Sequence, residues 1–219
     1  MLSEVKPKYT KGEEIFNMVS HIVGGAVGIV ALTLCVIFSA IKGNVYGVVA
    51  SAIYGASMIV LYTMSSVYHG LNPYIKAKKV FQTIDHCSIF LLIAGTYTPV
   101  CLCSLREYNT ALGWTLFGFV WGIAALGITL NAISVKKFKI FSAICYIALG
   151  WCIVAVWRPT VQMLTFGGIL LMLAGGISYT IGALFYYFFK KKKYMHSVFH
   201  IFVVLGSILQ MFSVLLYII

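Results

Sequence analysis

Two histidines, His196 and His200, lie just inside the last apolar stretch of the chain, in KKKKYMHSVFH (190–200). In a helix they share one face, about 6 Å apart along the axis. This is the spacing at which one helix offers two ligands to a zinc ion. Alone, the pair is better read as interfacial histidines bonded to carbonyls or lipid headgroups. Ser65 and His69, in SSVYH, repeat the four-residue interval and alone are better read as packing. Asp85 is the only aspartate, with no cation beside it in sequence. A carboxylate in apolar surroundings needs a partner, a metal or a water. The plainer reading is an interfacial carboxylate near Lys78 and Lys79.

Together these residues make a coherent site. His69, His196 and His200 supply three neutral imidazoles, and zinc sites with three protein ligands and an open position are the catalytic kind. Such sites make hydroxide available at neutral pH. Asp85 is the candidate to orient the water or take its proton, with Ser65 as a hydrogen-bonding helper. His86 adjoins Asp85 but points about 100° away around a helix, so it is expected to pack at the interface and not to ligate. His21 shares a face with Asn17 and is expected to cap or brace the site.

The elements that must position these groups are membrane helices. Of 219 residues, 61% are hydrophobic and only 10% charged, against about a quarter charged in soluble chains. Mean hydropathy is +0.97. The apolar runs are continuous rather than alternating, which argues for helices and against a barrel. Each span needs roughly 20 residues, and seven are expected: about 19–41, 46–68, 82–104, 111–132, 139–157, 162–188 and 196–218. The fold class is thus an all-α, seven-helix transmembrane bundle. Residues 1–18 form a cytoplasmic N-terminal segment and 19–219 a single domain. The first run is too long for a signal-peptide core and lacks a small-residue cleavage site, so it is read as an uncleaved span.

Lysine and arginine set the orientation. Lys6, Lys8 and Lys11; Lys76, Lys78 and Lys79; Lys136, Lys137 and Lys139; and Lys190 to Lys193 fall on one side, against Lys42, Arg106 and Arg158 on the other. The basic side is expected to be cytoplasmic, with the N-terminus inside and the C-terminus outside. His21, His69, His86, His196, His200 and Asp85 then all lie at the cytoplasmic level. Ionisable groups inside a membrane are costly and usually functional.

The net charge of +11 sits in short loops and reads as topology signal and contact with anionic lipid; no nucleic-acid pattern accompanies it. The six cysteines form no CxxC and read as small core residues. Gly24–Gly28 and Gly118–Gly122 are GxxxG pairs, readable either as close helix contacts or as plain glycine enrichment in membrane helices. Pro99 is expected to kink the third helix and open space near Gly95. Gln210 is expected to bond between helices. Trp151 and Trp157 read as an outer aromatic belt, Tyr186 and Tyr187 as an inner one.

In combination and order the motifs resemble the hemolysin III family, and through it the wider progestin and adipoQ receptor superfamily. They are Glu14, Asn17, Ser20 and His21 in E-x-x-N-x-x-S-H; Ser65 and His69; Asp85 and His86; the GTYTP run from Gly95 to Pro99; and His196 and His200. The resemblance implies zinc near the cytoplasmic face, ligated by His69, His196 and His200, with Asp85 holding water and Ser65 nearby. It also implies kinship with membrane hydrolases that cleave lipid amides. The length and short loops are similar to the compact bacterial members, so the plasma (inner) membrane is the expected location.

Three functions follow as expectations. The first is a zinc-dependent hydrolase of a lipid amide or ester, with Asp85 as general base. The second is a zinc-stabilised receptor or sensor, in which the metal ties helices 2, 3 and 7 together. The third is a cytolytic pore. A pore should place polar residues through both leaflets, and the outer halves are nearly bare, although a pore built from several copies stays open.

Overall fold

The computed structural model describes residues 9–189 and 192–219, and its regular elements are helical. Lys6, Lys8, Lys190 and Lys191 of the orientation argument lie outside the described residues. The elements are α1 (Lys11–Ile41), α2 (Val45–Gly70), α3 (Lys76–Pro99), a wider π-type stretch (Val100–Leu105), the short α4 (Arg106–Tyr108), α5 (Thr110–Gly150), a 3₁₀ stretch (Cys152–Val156), α6 (Trp157–Met163), α7 (Phe166–Phe189) and α8 (Met195–Tyr217). Among the described residues, six stretches are long and apolar enough to cross a membrane. The longest, Thr110–Met163, covers 54 residues.

That stretch is not one rod. The 41 residues of α5 would reach about 60 Å if straight, twice a bilayer's hydrocarbon thickness. Ser134 breaks the helix with φ −165° and ψ 101°. Across the break, Ser142 Oγ donates to Asn131 Oδ1 at 2.7 Å, and Asn131 Nδ2 donates to the Tyr146 hydroxyl at 3.2 Å. In a continuous helix residues 131 and 142 would be about 16 Å apart. The chain therefore doubles back at Ser134, in the gap expected between the spans 111–132 and 139–157, and α5 comprises two limbs, 110–133 and 135–150.

The innermost stretch is Lys76–Tyr108, α3 with the π-type turn that follows it: 78% of its most apolar part is buried, against 22–50% in the other five stretches. The outer helices turn large apolar side chains outward, among them Ile22, Phe119 and Phe166, as a lipid-facing surface requires. Contacts concentrate between α1 and α2, α7 and α8, α2 and α3, α3 and α5, and α1 and α8. The start of α1, the end of α2 and the start of α8 meet at one end of the bundle, and there the site is built.

Glycines set the closest approaches. A Cβ on Gly24 would collide with the Tyr62 ring, and one on Gly55 would lie 2.5 Å from Cα of Leu32, so α1 and α2 touch almost backbone to backbone. Gly28 meets Ile59 and Met58. The other GxxxG pair differs: a Cβ added to Gly118 or Gly122 would meet nothing within 4 Å, and both glycines face outward. Gly95 does not border open space either. A Cβ there would collide with Ser57 Oγ, and the irregularity associated with Pro99 lies beyond it, in Val100–Leu105. Gln210 Nε2 donates to the Met172 carbonyl at 2.9 Å, joining α8 to α7.

Candidate metal centre

His69 ends α2 and His196 and His200 begin α8, yet their ring nitrogens converge. Nε2 of His196 lies 3.3 Å from Nε2 of His69 and 3.1 Å from Nε2 of His200. One nitrogen from each residue falls within 4.8 Å of the other two. Nitrogens bound tetrahedrally at the zinc distance of about 2.0–2.1 Å are about 3.3 Å apart. The two spacings from His196 fit, and the whole set lies within 4.8 Å.

The outer nitrogens say which lone pairs face inward. His69 Nδ1 is 2.5 Å from Glu14 Oε2. A carboxylate only accepts, so in the neutral ring Nδ1 carries the proton and Nε2 the lone pair. His200 Nδ1 is 3.2 Å from the Asn17 backbone carbonyl, also an acceptor. Two Nε2 lone pairs thus point at the same small space as Nε2 of His196. These lone pairs need a positive partner, which either a metal cation or a proton on His196 Nε2 supplies. The donor set, three imidazoles with carboxylate support outside, suits zinc.

α1 builds this outer layer. Its cap is reciprocal: Glu13 N donates to Thr10 Oγ1 at 3.3 Å, and Thr10 N donates to Glu13 Oε2 at 2.9 Å. The other oxygen of Glu13 accepts from Tyr194 N at 2.8 Å. Tyr194 has φ 62°, a left-handed conformation that a bulky residue rarely adopts, and it stands immediately before α8. The capping glutamate therefore also fixes the turn that delivers His196. Further along, Asn17 Oδ1 accepts from Ser197 Oγ at 2.7 Å, and Lys78 Nζ donates to Glu14 Oε1 at 2.7 Å.

Tyr9 lies over the site. Its ring stacks on His196 with centroids 4.9 Å apart and planes 8° from parallel, and it lies 5.9 Å from His69. Burial, then Tyr186, Tyr68 and Glu14, hold its phenol above the usual range, so it stays protonated. Tyr186, read from the sequence as part of an aromatic belt, packs 5.1 Å from His196 and belongs to the wall of the site.

His21 is buried and stacks on His200, centroids 3.6 Å apart, with its edge toward Tyr62. Neither of its ring nitrogens has a hydrogen-bond partner among the described residues. His86 faces elsewhere, with Nδ1 2.8 Å from the Gln82 carbonyl. Ser65 is buried on α2, one turn before His69. Asp85 lies outside the three-histidine group; its carboxylate is 3.8 Å from His86 Nδ1. It shares a face of α3 with Gln82, whose side chain donates to the Tyr68 hydroxyl on α2 at 3.3 Å. Lys78, one of the two lysines of the plainer reading, pairs instead with Glu14.

The family model described as "Haemolysin-III related" matches residues 9–211, which include every residue of this site. The chain belongs to that family. It is 40% identical over 206 residues to "Hemolysin-3" of Bacillus cereus, covering 94% of this chain and 92% of that one. It is 37% identical over 209 residues to "Hemolysin-3 homolog" of Bacillus subtilis (strain 168), covering 95% and 96%. A more distant likeness, 24% over 169 residues, reaches the human "Monocyte to macrophage differentiation factor", with 74% and 67% covered. No solved structure matches.

In this haemolysin-III-related chain, sequence reading named the three converging histidines and left the roles of Glu14, Lys78 and Tyr9 unassigned. A signal existed for the first. Glu14, Asn17 and His21 recur at three- and four-residue intervals, a polar stripe on an otherwise apolar helix.

Proposed function

We propose that the chain is a multi-pass protein of the plasma (inner) membrane that holds zinc at its cytoplasmic end and hydrolyses an amide or ester bond of a membrane lipid. Seven spans are proposed, with the two limbs of α5 counted separately, the N-terminus inside and the C-terminus outside. The observation that carries the reading is the convergence of three Nε2 atoms, 3.1 and 3.3 Å between neighbours, with no fourth protein ligand in that group among the described residues. Closed structural sites use four protein ligands; catalytic ones keep a position open.

Zinc supplies Lewis acidity when bound, polarising a carbonyl and making hydroxide available at neutral pH. The chain does the rest. Glu14 and the Asn17 carbonyl hold the imidazoles in the ligating tautomer. Asp85 takes the proton of the attacking water and returns it to the leaving group, and Ser65 orients the reacting groups by hydrogen bonding. Tyr9 and Tyr186 exclude bulk water. The acyl chain of the substrate enters between helices from the inner leaflet.

The test is release of fatty acid from long-chain lipid amides and esters in mixed micelles. Release by the zinc-loaded protein, lost in Asp85→Asn with zinc content retained, supports the reading. Zinc-loaded protein that cleaves none of them favours the second reading, a receptor or sensor in which the metal ties α2 to α8. That tie has its own support: His69 and His196 are 127 positions apart in sequence. The name hemolysin-3 of the relatives suggests a cytolytic pore. Against it, deeper polar groups pair with one another: Ser207 Oγ is 2.6 Å from the Tyr62 hydroxyl and 2.7 Å from that of Tyr179.

A further inference from the structure

Glu14 stands between two donors. One oxygen is 2.5 Å from His69 Nδ1, the other 2.7 Å from Lys78 Nζ. Its side chain is 15% exposed, and those of His69 and Lys78 are 0% and 12% exposed, so water does not easily substitute for any of the three. Lys78 is itself held in place. Nζ also donates to the carbonyl of Leu71 at 3.1 Å and to that of His69 at 3.5 Å, capping the end of α2. A second group competes for the imidazole. Asn17 Nδ2 is 3.5 Å from His69 Nδ1, and an amide nitrogen facing Nδ1 favours the tautomer with the proton on Nε2. That tautomer cannot ligate.

We propose that Glu14 is the positioning residue of the metal centre, forcing His69 into its ligating tautomer, and that Lys78 decides which oxygen of Glu14 does so. The proposal rests on the metal reading above. With both oxygens committed, Glu14 overrides the amide of Asn17 and leaves the Nε2 lone pair directed at the metal. The roles separate because the two donors need two acceptors.

Glu14→Gln exposes this division. Glutamine keeps the shape but has a single acceptor oxygen. Lys78, a cation pinned by the α2 carbonyls, claims that oxygen, and the NH₂ group is turned toward His69 Nδ1. The ring then carries its proton on Nε2, facing the site. Lys78→Met added to Glu14→Gln frees the oxygen to face Nδ1 and restores the ligating tautomer. A side chain that merely filled space would give no such rescue, because the second substitution removes a further contact.

The experiment is a zinc titration of detergent-purified protein against a chelating dye, for wild type, Glu14→Gln and Glu14→Gln/Lys78→Met. Loss of an outer carboxylate typically costs about 10- to 100-fold in metal affinity. That loss is expected in Glu14→Gln, with recovery of about tenfold in the double variant. Wild-type affinity in Glu14→Gln, or a loss that Lys78→Met does not relieve, overturns the proposal while leaving the metal site standing. Absence of zinc binding by wild type overturns both. Should Glu14→Gln fail to fold, imidazole nitrogen and carbon shifts of metal-free wild type decide. Protonation of His69 at Nδ1 is expected, and protonation at Nε2 overturns the proposal.

Discussion

The backbone carbonyl of Asn17 lies 3.2 Å from Nδ1 of His200, and the side-chain oxygen of the same residue accepts from Ser197 at 2.7 Å. One position on α1 thereby holds the first turn of α8 twice, through groups with different fates on mutation. Asn17→Ala keeps the carbonyl and removes the side chain, leaving the buried Ser197 hydroxyl without its acceptor. An unsatisfied buried group costs about 1–3 kcal/mol. Thermal unfolding in detergent should show that loss, while zinc affinity falls less than in Glu14→Gln. Unchanged unfolding would contradict the placement of Asn17.

Tyr9 covers His196 by stacking, and its hydroxyl is not needed for that contact. Tyr9→Ala should speed the stripping of zinc by a chelator on the order of tenfold, since the apolar shell around a site controls solvent access. Tyr9→Phe should strip at the wild-type rate. Equal rates in all three proteins would mean that the tyrosine does not limit access.

The glycines separate into two kinds. At Gly55 an added methyl meets the backbone of Leu32, which cannot move aside, so Gly55→Ala should destabilise by about 1–3 kcal/mol, the cost of overpacking. At Gly118 the methyl meets nothing within 4 Å, and Gly118→Ala should change stability by less than about 1 kcal/mol, in the direction of better helix propensity. Unfolding curves of the two variants side by side check the contrast.

The reversal at Ser134 bears on topology. With seven spans, a reporter fused after Lys139 is cytoplasmic and one fused after Ile219 is outside. Were Thr110–Met163 to cross only once, an even number of spans would return the chain's last residue to the cytoplasmic side. A C-terminal reporter active only inside the cell would therefore contradict the seven-span proposal.

Much of this was legible in the sequence, for physical reasons that differ by residue. Membrane helices announce themselves because backbone polar groups must be satisfied within each segment. His69, His196 and His200 stood out because imidazoles are rare in apolar runs, and the four-residue interval put the last two on one face. The break at Ser134 was legible in the lysine-bearing gap between the expected spans 111–132 and 139–157, and Asn131 bonding Ser142 across it shows the chain turning there. Glu14 and Lys78 were hidden because Glu14 finds His69 and Lys78 at 55 and 64 positions' distance, where periodicity carries no information. Gly118–Gly122 matched a packing motif and faces outward, since GxxxG specifies a close approach only when a partner helix lies on that side.

The central claim is that His69, His196 and His200 hold a metal, and elemental mass spectrometry of purified protein tests it directly. Wild type prepared without chelator should carry about one zinc per chain, as a single three-histidine site requires, and a folded His196→Ala/His200→Ala variant should carry essentially none. Well-folded wild type without bound metal would contradict the claim, and the three histidines would then be an interfacial polar network.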